Sequence, residues 1–215
     1  MPIEPTGSAE NTRAFLTKTE MSNNRDITEK EHTMEQKPFT VRKLTEKDLC
    51  PNLLQNFDRY QQVERCWRKE NGSWLLKDIA FTEQWSESEK QDIVTRIFTP
   101  VICQGGAVLG IFRPDGSLAA YAVVPPQRLG SRCQYLQLKE LYVSRECRRM
   151  GLGKTLFEKA AAFARELGAQ KLYISAHSSE ESQAFYRRLG CIEAEEYDEL
   201  LAALEPCDCQ MEYQL

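Results

Sequence analysis

The chain has 215 residues, with 28 Lys or Arg and 32 Asp or Glu, which gives a formal net charge of −4. This length corresponds to one domain with extensions, or at most two small domains. The mild negative charge argues against a nucleic-acid binder, because such proteins need a basic face. No apolar run approaches the ~18 residues of a membrane-spanning helix, and the N-terminus lacks the apolar core of a signal peptide. We therefore expect a cytoplasmic protein that contacts neither nucleic acid nor membrane.

The eight cysteines are spread along the chain without a Cys-x-x-Cys pair. In a reducing compartment, cysteines of this kind are expected to be free thiols and mostly buried. Cys207 and Cys209 would share one face of a strand, but no neighbouring His or Cys completes a set of four zinc ligands. The sequence therefore predicts no metal site.

Residues 1–36 carry almost no large apolar side chains after Leu16. Such a segment cannot bury enough apolar surface to offset the entropy lost on ordering. We therefore predict a disordered N-terminal extension over 1–36 and one folded domain over 37–215.

The first half of this domain carries strand, turn and capping signals in regular order. Phe39 to Leu44 predicts a strand, and Thr45-x-x-Asp48 resembles a helix cap. Residues Val63 to Phe81 predict a hairpin about Asn71-Gly72, a strong turn dipeptide. Ser86-x-x-Glu89 is a capping box, and the helix that it begins is predicted to end before Pro100.

The second half alternates strands and helices. Val108–Phe112 and Leu118–Val124 read as strands joined by the turn Pro114-Asp115-Gly116. Further elements are predicted in this order: a long strand over 135–143, a helix over 151–167 closed by Gly168, a strand over 171–176, a helix over 178–189 stopped by Gly190, and a strand over 209–215. The strand–helix–strand unit predicts one parallel pair with a right-handed crossover in an otherwise antiparallel α/β fold.

The segment from Arg148 to Thr155 lies between a predicted strand and a predicted helix, and it contains Gly151 and Gly153. Glycines allow positive φ and close approach of a ligand to the backbone, and the helix N-terminus favours a phosphate group. Arg148, Arg149 and Lys154 add positive charge. The pattern predicts a pyrophosphate cradle, although a plain glycine turn before a helix would look similar. It fits neither a Walker loop nor a dinucleotide fingerprint.

Three runs together resemble the GNAT superfamily of N-acetyltransferases: Glu140-Leu-Tyr-Val143, Arg148-x-x-Gly151-x-Gly153, and Phe185-Tyr186-x-x-x-Gly190-Cys191. The resemblance covers residues 38–215 and is strongest over 134–191. The sequence departs from the common pattern at Ser179, where many members have Asn, and at Cys191, where Phe is usual. The resemblance implies the acyl-CoA N-acyltransferase fold, with a mixed, mostly antiparallel sheet flanked by helices, and acetyl-CoA as co-substrate without a metal.

The resemblance also implies residue roles. Backbone groups of Leu141 and Val143 would pair with the pantetheine arm, and the Val143 N–H would point at the thioester oxygen. Tyr186 would protonate the departing thiolate as general acid, unless it is simply a core aromatic. The full set implied to bind the coenzyme is Leu141, Tyr142, Val143, Arg148, Arg149, Met150, Gly151, Leu152, Gly153, Lys154, Thr155, Ser179 and Ser182.

A general base is needed because the acceptor amine must lose a proton before it attacks the thioester. Glu140 is the first candidate, since family members often carry acidic residues near this strand. It could instead be a surface carboxylate paired with a cation. His177 is the second candidate, because its ordinary pKa suits a base. A hydrogen-bonded structural histidine is the alternative there.

The sequence says least about the identity of the acceptor substrate. The Trp67–Trp74 hairpin and the helix over 86–98 are predicted to shape its pocket. The three tryptophans (Trp67, Trp74, Trp85) could cage a cation or fill the core, and four acids could attract an amine (Glu64, Glu70, Asp78, Glu83). We expect direct acetyl transfer to the primary amine of a small molecule in a ternary complex. A non-catalytic acyl-CoA-binding module, a protein or peptide N-acetyltransferase, and assembly as a homodimer stay open.

Overall fold

The computed structural model describes residues 39–215, so the predicted disordered extension, residues 1–36, lies outside the described part. Its strands, in chain order, are β1 (Thr40–Lys43), β2 (Gln61–Glu70), β3 (Ser73–Glu83), β4 (Ala107–Phe112), β5 (Leu118–Val124), β6 (Arg128–Leu129), β7 (Tyr135–Gln137), β8 (Glu140–Val143), β9 (Lys171–Ala176), β10 (Ile192–Glu193) and β11 (Cys209–Gln214). Its α-helices are α1 (Glu87–Asp92), α2 (Thr99–Cys103), α3 (Leu152–Glu166), α4 (Glu180–Arg188) and α5 (Glu199–Leu204).

Three sheets organise these strands. The first has the order β1-β4-β5-β8, the second β10-β11-β9-β7-β6, and the third is the β2–β3 hairpin. Within the described chain, β7 and β9 form a parallel pair while the other pairings are antiparallel. The predicted mixed α/β fold with one parallel pair is therefore confirmed.

The core lies on both faces of the first sheet. The apolar stripe of α3 packs against β4 and β5 on one face, because Leu156, Phe157, Ala160, Ala161 and Ala164 recur at helical spacing and are buried. A second buried cluster lies on the other face and includes the predicted helix residues Ile93, Val94 and Phe98.

The predicted turns are present. Asn71 and Gly72, at φ +50° and +82°, close the β2–β3 hairpin. Between β4 and β5, Gly116 adopts φ +84°, and an Asp115 side-chain oxygen accepts from the Ser117 N–H at 2.8 Å. The capping box at Thr45 is present but begins only a single 3₁₀ turn, Glu46–Asp48.

The prediction that the helix ends before Pro100 is wrong. Residues 93–98 form a π-helical segment, and the chain continues as α2 to Cys103. In this wider turn the Thr99 N–H bonds to the Val94 carbonyl, five residues back. The shift in hydrogen-bond register accommodates a proline, which has no N–H to donate.

The predicted single strand over 135–143 is also wrong, because it divides into β7 and β8 in different sheets. The Leu138 N–H donates to Tyr173 on β9 at 2.8 Å, whereas the next amide, Lys139, donates to Val123 on β5 at 2.9 Å. Two consecutive amides directed to different neighbours produce an irregularity that hydrophobic patterning does not reveal.

The eight cysteines are free thiols, and four of them are buried, fewer than expected: Cys66, Cys147, Cys191 and Cys209. Within residues 39–215, no group of three or more His, Cys, Asp or Glu side chains is arranged to hold a metal ion. Over the same residues, no helix is long and apolar enough to cross a membrane.

Candidate active site

A cleft begins where β7 passes into β8. Up to Leu138 the chain is bonded to β9, and beyond it β8 pairs with β5 while β9 pairs with β11. The two strands therefore diverge and leave a cleft of about 1340 Å³ between them. Such a volume exceeds the roughly 300–1,000 Å³ of a typical small-molecule site. The cleft can hold more than one small ligand.

The wall formed by β8 presents an unpaired backbone edge to this cleft. Ser144 donates its N–H to Ala119 beside β5 at 2.8 Å, and Val143 is paired with Ala120. Because backbone groups alternate in direction along a strand, the N–H and C=O groups of Leu141 and Val143 point away from β5. Both residues line the cleft. The Val143 carbonyl accepts from Arg148 Nε at 3.2 Å, while its N–H faces the open space.

The glycine turn closes one end of the cleft. Arg149 and Gly151 adopt φ +66° and +82°, and α3 begins at Leu152. A Cβ built on Gly151 would meet no atom within 4 Å, so the backbone here borders open space. One on Gly153 would lie 3.3 Å from the Phe185 ring, so this glycine allows α3 to approach α4. Leu152, Gly153 and Lys154 line the cleft, so the start of α3 borders it, as an anion site requires.

The cationic side chains of the glycine turn differ in their contacts. Arg148 bonds to the Val143 carbonyl and, at 3.3 Å, to the Arg59 carbonyl, so its guanidinium supports the cleft wall. Burial, followed by the charge of Arg59, lowers the pKa of Arg148. Arg149 and Lys154 also line the cleft.

Three residues of the predicted coenzyme set do not line the cleft. The Met150 side chain is 57% exposed. The Thr155 hydroxyl bonds back to the Gly151 carbonyl at 3.3 Å. Ser179 is fully buried, and its hydroxyl caps α4 by accepting from the Ser182 N–H at 3.3 Å. Ser182 itself borders the cleft.

Tyr186 lies on α4 inside the cleft, with its ring against Phe185 and Phe157. Its hydroxyl makes no hydrogen bond to any described residue, although it is not enclosed by protein. Burial is the largest cause of a raised pKa for Tyr186, and Tyr142 adds to the shift. The phenol is therefore fully protonated at neutral pH and can donate to a ligand.

Glu140 lies at the start of β8, where its carboxylate accepts from the Tyr121 hydroxyl at 3.0 Å. Burial raises the pKa of Glu140, and the Tyr121 hydrogen bond opposes part of that shift. The neighbouring Tyr142 has its pKa raised to about 12, first by burial and then by the Glu140 charge. Glu140 is thus part of a buried tyrosine cluster at the cleft wall.

His177 follows β9 and faces Glu83 of the hairpin, with 3.6 Å between His177 Nε2 and a Glu83 carboxylate oxygen. The other Glu83 oxygen lies 2.6 Å from Arg59, a buried cation whose Nε has no partner among the described residues. Burial is the main cause that lowers the pKa of His177, with Glu83 opposing it. The imidazole is therefore neutral at physiological pH.

Several cleft residues were absent from the predicted set, among them Arg59 and Asp208. Asp208 immediately precedes β11, and burial, followed by the charge of Glu205, raises its pKa to about 6. Neither residue belongs to a motif. Arg59 precedes the β2–β3 hairpin and Asp208 lies in the loop after α5, so tertiary packing alone brings both to the cleft.

The three tryptophans do not line the cleft. Trp67 and Trp74 pack against the core, and Trp85 stacks on Phe57 at 5.9 Å between ring centroids. Each ring lies under a cation of the chain itself: Arg187, Lys69 and Arg59 in turn. The core role considered for them is the one that the structure shows. Of the four predicted acids, only Glu83 reaches the cleft.

Comparison with known proteins identifies the family to which this fold belongs. The model of the acetyltransferase (GNAT) family matches residues 74–191, more than half of the chain. No curated protein shows significant similarity to the sequence. Among solved structures, nourseothricin acetyltransferase is 18% identical with a TM-score of 0.59, covering 82% of this chain and 98% of that one.

Two further similar structures contain a coenzyme. A protein described as a streptothricin acetyltransferase from Bacillus anthracis str. Ames, in complex with acetyl coenzyme A, is 14% identical with a TM-score of 0.62, over 83% of this chain and 99% of that one. The PaiA N-acetyltransferase from Thermoplasma acidophilum, in complex with coenzyme A, is 17% identical with a TM-score of 0.51, over 83% and 100%. The expected fold and enzyme class are confirmed, and this chain belongs to the acetyltransferase (GNAT) family of N-acetyltransferases.

Proposed function

We propose that the chain binds acetyl-CoA in the cleft between β8 and β9 and transfers the acetyl group directly to the primary amine of a small molecule. One observation carries this proposal. The unpaired edge of β8 and the open amides at the start of α3 border the same cleft, and the Tyr186 hydroxyl faces it without a protein partner among the described residues.

The coenzyme would be held mainly by the backbone. Amide groups of residues 149–154 would bind the pyrophosphate, with Arg149 and Lys154 adding positive charge. The pantetheine arm carries amides of its own, so it can pair with Leu141 and Val143 as an additional strand would. The coenzymes present in two similar structures support this choice of ligand.

Two groups of the chain would assist the reaction. The Val143 N–H points into the cleft, where it would stabilise the negative charge that develops on the thioester oxygen. The Tyr186 hydroxyl would donate its proton to the departing thiolate. Because the pKa of Tyr186 is raised, the phenol keeps this proton until the thiolate forms.

The charges lining the cleft favour a cationic acceptor. Arg149 and Lys154 lie at the α3 end, whereas Glu83, Glu205 and Asp208 come from β3 and the loop after α5. Arg59 offsets the charge of Glu83, so this end keeps a net negative charge. Negative charge at the acceptor end attracts a protonated amine and opposes an anionic substrate. The acceptor end is walled by the hairpin on one side and α5 on the other, which favours a small molecule over an extended peptide.

Turnover across an amine panel tests the proposal. The full chain is incubated with acetyl-CoA and either tyramine, putrescine, spermidine or L-lysine, or with peptides carrying a free N-terminus or a single lysine. Thiol release and product mass are followed. We expect acetylation of a free amine to exceed that of every peptide. Faster peptide acetylation would favour a protein acetyltransferase, and acetyl-CoA binding without any turnover would indicate a non-catalytic module.

A further inference from the structure

The proposed reaction requires a group that removes a proton from the acceptor ammonium, and neither candidate from the sequence is well placed. Glu140 accepts a hydrogen bond from Tyr121 through one oxygen, and it lies on β8, the wall proposed to hold the coenzyme. On His177, Nδ1 accepts from the Ser179 N–H at 3.2 Å. That contact leaves the single proton of the neutral ring on Nε2, so neither nitrogen has a free lone pair.

Asp208 has the position that a base needs. It lies in the loop between α5 and β11, where its N–H donates to the Glu205 carbonyl at 3.0 Å and closes the turn. The side chain is partly buried beside Ser175 of β9 and lines the cleft. The next residue, Cys209, pairs with Ala176 at the end of β9, and the side chains of Asp208 and Tyr186 both line the cleft.

We propose that Asp208 is the catalytic base that accepts a proton from the acceptor ammonium within this cleft. The inference rests on the proposed function, since it assumes an amine acceptor and acetyl-CoA. It assigns the role of base to a residue outside every motif of the sequence, in place of Glu140 and His177.

The proton balance is complete with groups of the chain. Asp208 takes one proton from R–NH3⁺, and the neutral nitrogen then forms a bond to the acetyl carbon. As the C–S bond breaks, Tyr186 gives its proton to the thiolate. The nitrogen, positively charged after attack, returns a second proton to the Tyr186 oxygen. The products are the acetamide, coenzyme A as thiol, and a proton that Asp208 passes to solvent.

The groups around Asp208 set the pH range of this role. Glu205 and Glu83 raise its pKa, while the Ser175 hydroxyl and Arg68 lower it, and burial dominates. Its pKa of about 6 leaves the carboxylate ionised at neutral pH, close enough to that pH to accept a proton readily. The Asp208 charge also contributes to the raised pKa values of Tyr186 and of the Cys209 thiol, both of which burial raises first.

The test compares pH profiles of kcat/KM, using the panel amine with the highest wild-type activity. Asp208→Asn removes the base at nearly constant volume. We expect activity near pH 7 to fall by about 10²-fold or more, and the deficit to shrink as the pH approaches the amine's own pKa near ~10. Acetyl-CoA affinity should stay within about twofold of wild type, which also shows that the variant folds.

Three matched variants accompany it. Glu199→Gln removes a carboxylate from α5 that lies outside the cleft and should leave the profile unchanged. In wild type, kcat/KM should fall at low pH as Asp208 becomes protonated, and this fall is the acidic limb of the profile. Glu205→Gln should move the acidic limb to lower pH, because the Glu205 charge raises the pKa of Asp208. Glu140→Gln should keep the limb in place, since Gln can still accept from Tyr121.

Failure of this inference and failure of the proposed function give different results. An Asp208→Asn enzyme with an unchanged limb, or with a deficit equal at every pH, would overturn this inference while wild-type turnover upholds the proposed function. The inference would also be overturned if Glu140→Gln, and not Asp208→Asn, abolished the limb. Absence of wild-type turnover with every amine would overturn the proposed function and this inference with it.

Discussion

The backbone N–H of Ser179 donates a hydrogen bond to Nδ1 of His177 at 3.2 Å. This contact links the end of β9 to the residue that caps α4, and it fixes the tautomer of the imidazole. Nε2 then carries the proton, and its 3.6 Å separation from Glu83 is too long for a hydrogen bond. The histidine is a structural connector between a strand and the helix that carries Tyr186.

His177→Asn is expected to retain activity. An asparagine side chain bonds to the backbone N–H two residues further on, so it can replace this contact. Loss of a true general base would cost about 10²–10⁴-fold in rate, whereas we expect less than about tenfold for this variant. His177→Ala, which leaves the Ser179 N–H unpaired, should be less stable. If both variants stayed stable and turned over about a hundredfold more slowly than wild type, His177 would be restored as the base.

Gly151→Asp is expected to abolish acetyl-CoA binding while the protein stays folded. The substitution adds strain at φ +82° and places a carboxylate in the predicted pyrophosphate site. Gly116→Asp is the matched control, because Gly116 has φ +84° and equally open surroundings in the β4–β5 turn. Calorimetry should give a dissociation constant at least ~10²-fold weaker for the first variant only. Equal affinities in the two variants would remove the glycine turn from the coenzyme site.

Tyr186→Phe should lower kcat by about 10–10³-fold without weakening acetyl-CoA binding, because only the proton donor to the thiolate is lost. Its stability should match wild type, since the hydroxyl bonds to no described residue. Tyr213→Phe, on β11 with its ring 5.0 Å from that of Phe157, is the control for removing a phenol nearby. Identical kcat values for wild type and Tyr186→Phe would exclude the tyrosine as acid.

Asp208→Asn should stabilise the ligand-free protein at alkaline pH. Because folding raises the pKa of Asp208 from 3.8 to about 6, stability is fully present below the unfolded value and is lost as the pH rises through the folded one. Removing the carboxyl should therefore raise the free energy of unfolding near pH ~8 by on the order of 1–3 kcal/mol, and by much less near pH ~4.5. Urea denaturation at both pH values checks this. A gain of the same size at each pH would contradict the buried-charge explanation.

The sequence predicts the local geometry of the glycine turn at one end of the cleft. A glycine turn before a helix is a local device, so Gly151, Gly153 and the α3 N-terminus follow from spacing alone. The boundaries of α3 and β9 agree because their apolar periodicity is strong and Gly168, at φ +78°, stops the helix.

The residues at the other end of the cleft could not be predicted in the same way. They come from β3, the end of β9 and the loop before β11, which are brought together only by tertiary packing. The pairing of the Trp67 N–H with the Ser178 carbonyl at 2.8 Å, which docks the hairpin beside α4, has no sequence signal. The division of residues 135–143 into β7 and β8 has no sequence signal either, because it depends on which neighbouring strand each amide bonds to.

Binding of acetyl-CoA to the full chain tests the central claim most directly. Thermal unfolding is measured alone and with acetyl-CoA, NAD or ATP. At about 100 times its dissociation constant a ligand adds roughly 2.7 kcal/mol, which should raise the midpoint by roughly 5–10 °C in a chain of this size. We expect this rise with acetyl-CoA and not with NAD or ATP. No rise with acetyl-CoA, or an equal rise with all three, would contradict a coenzyme site between β8 and β9.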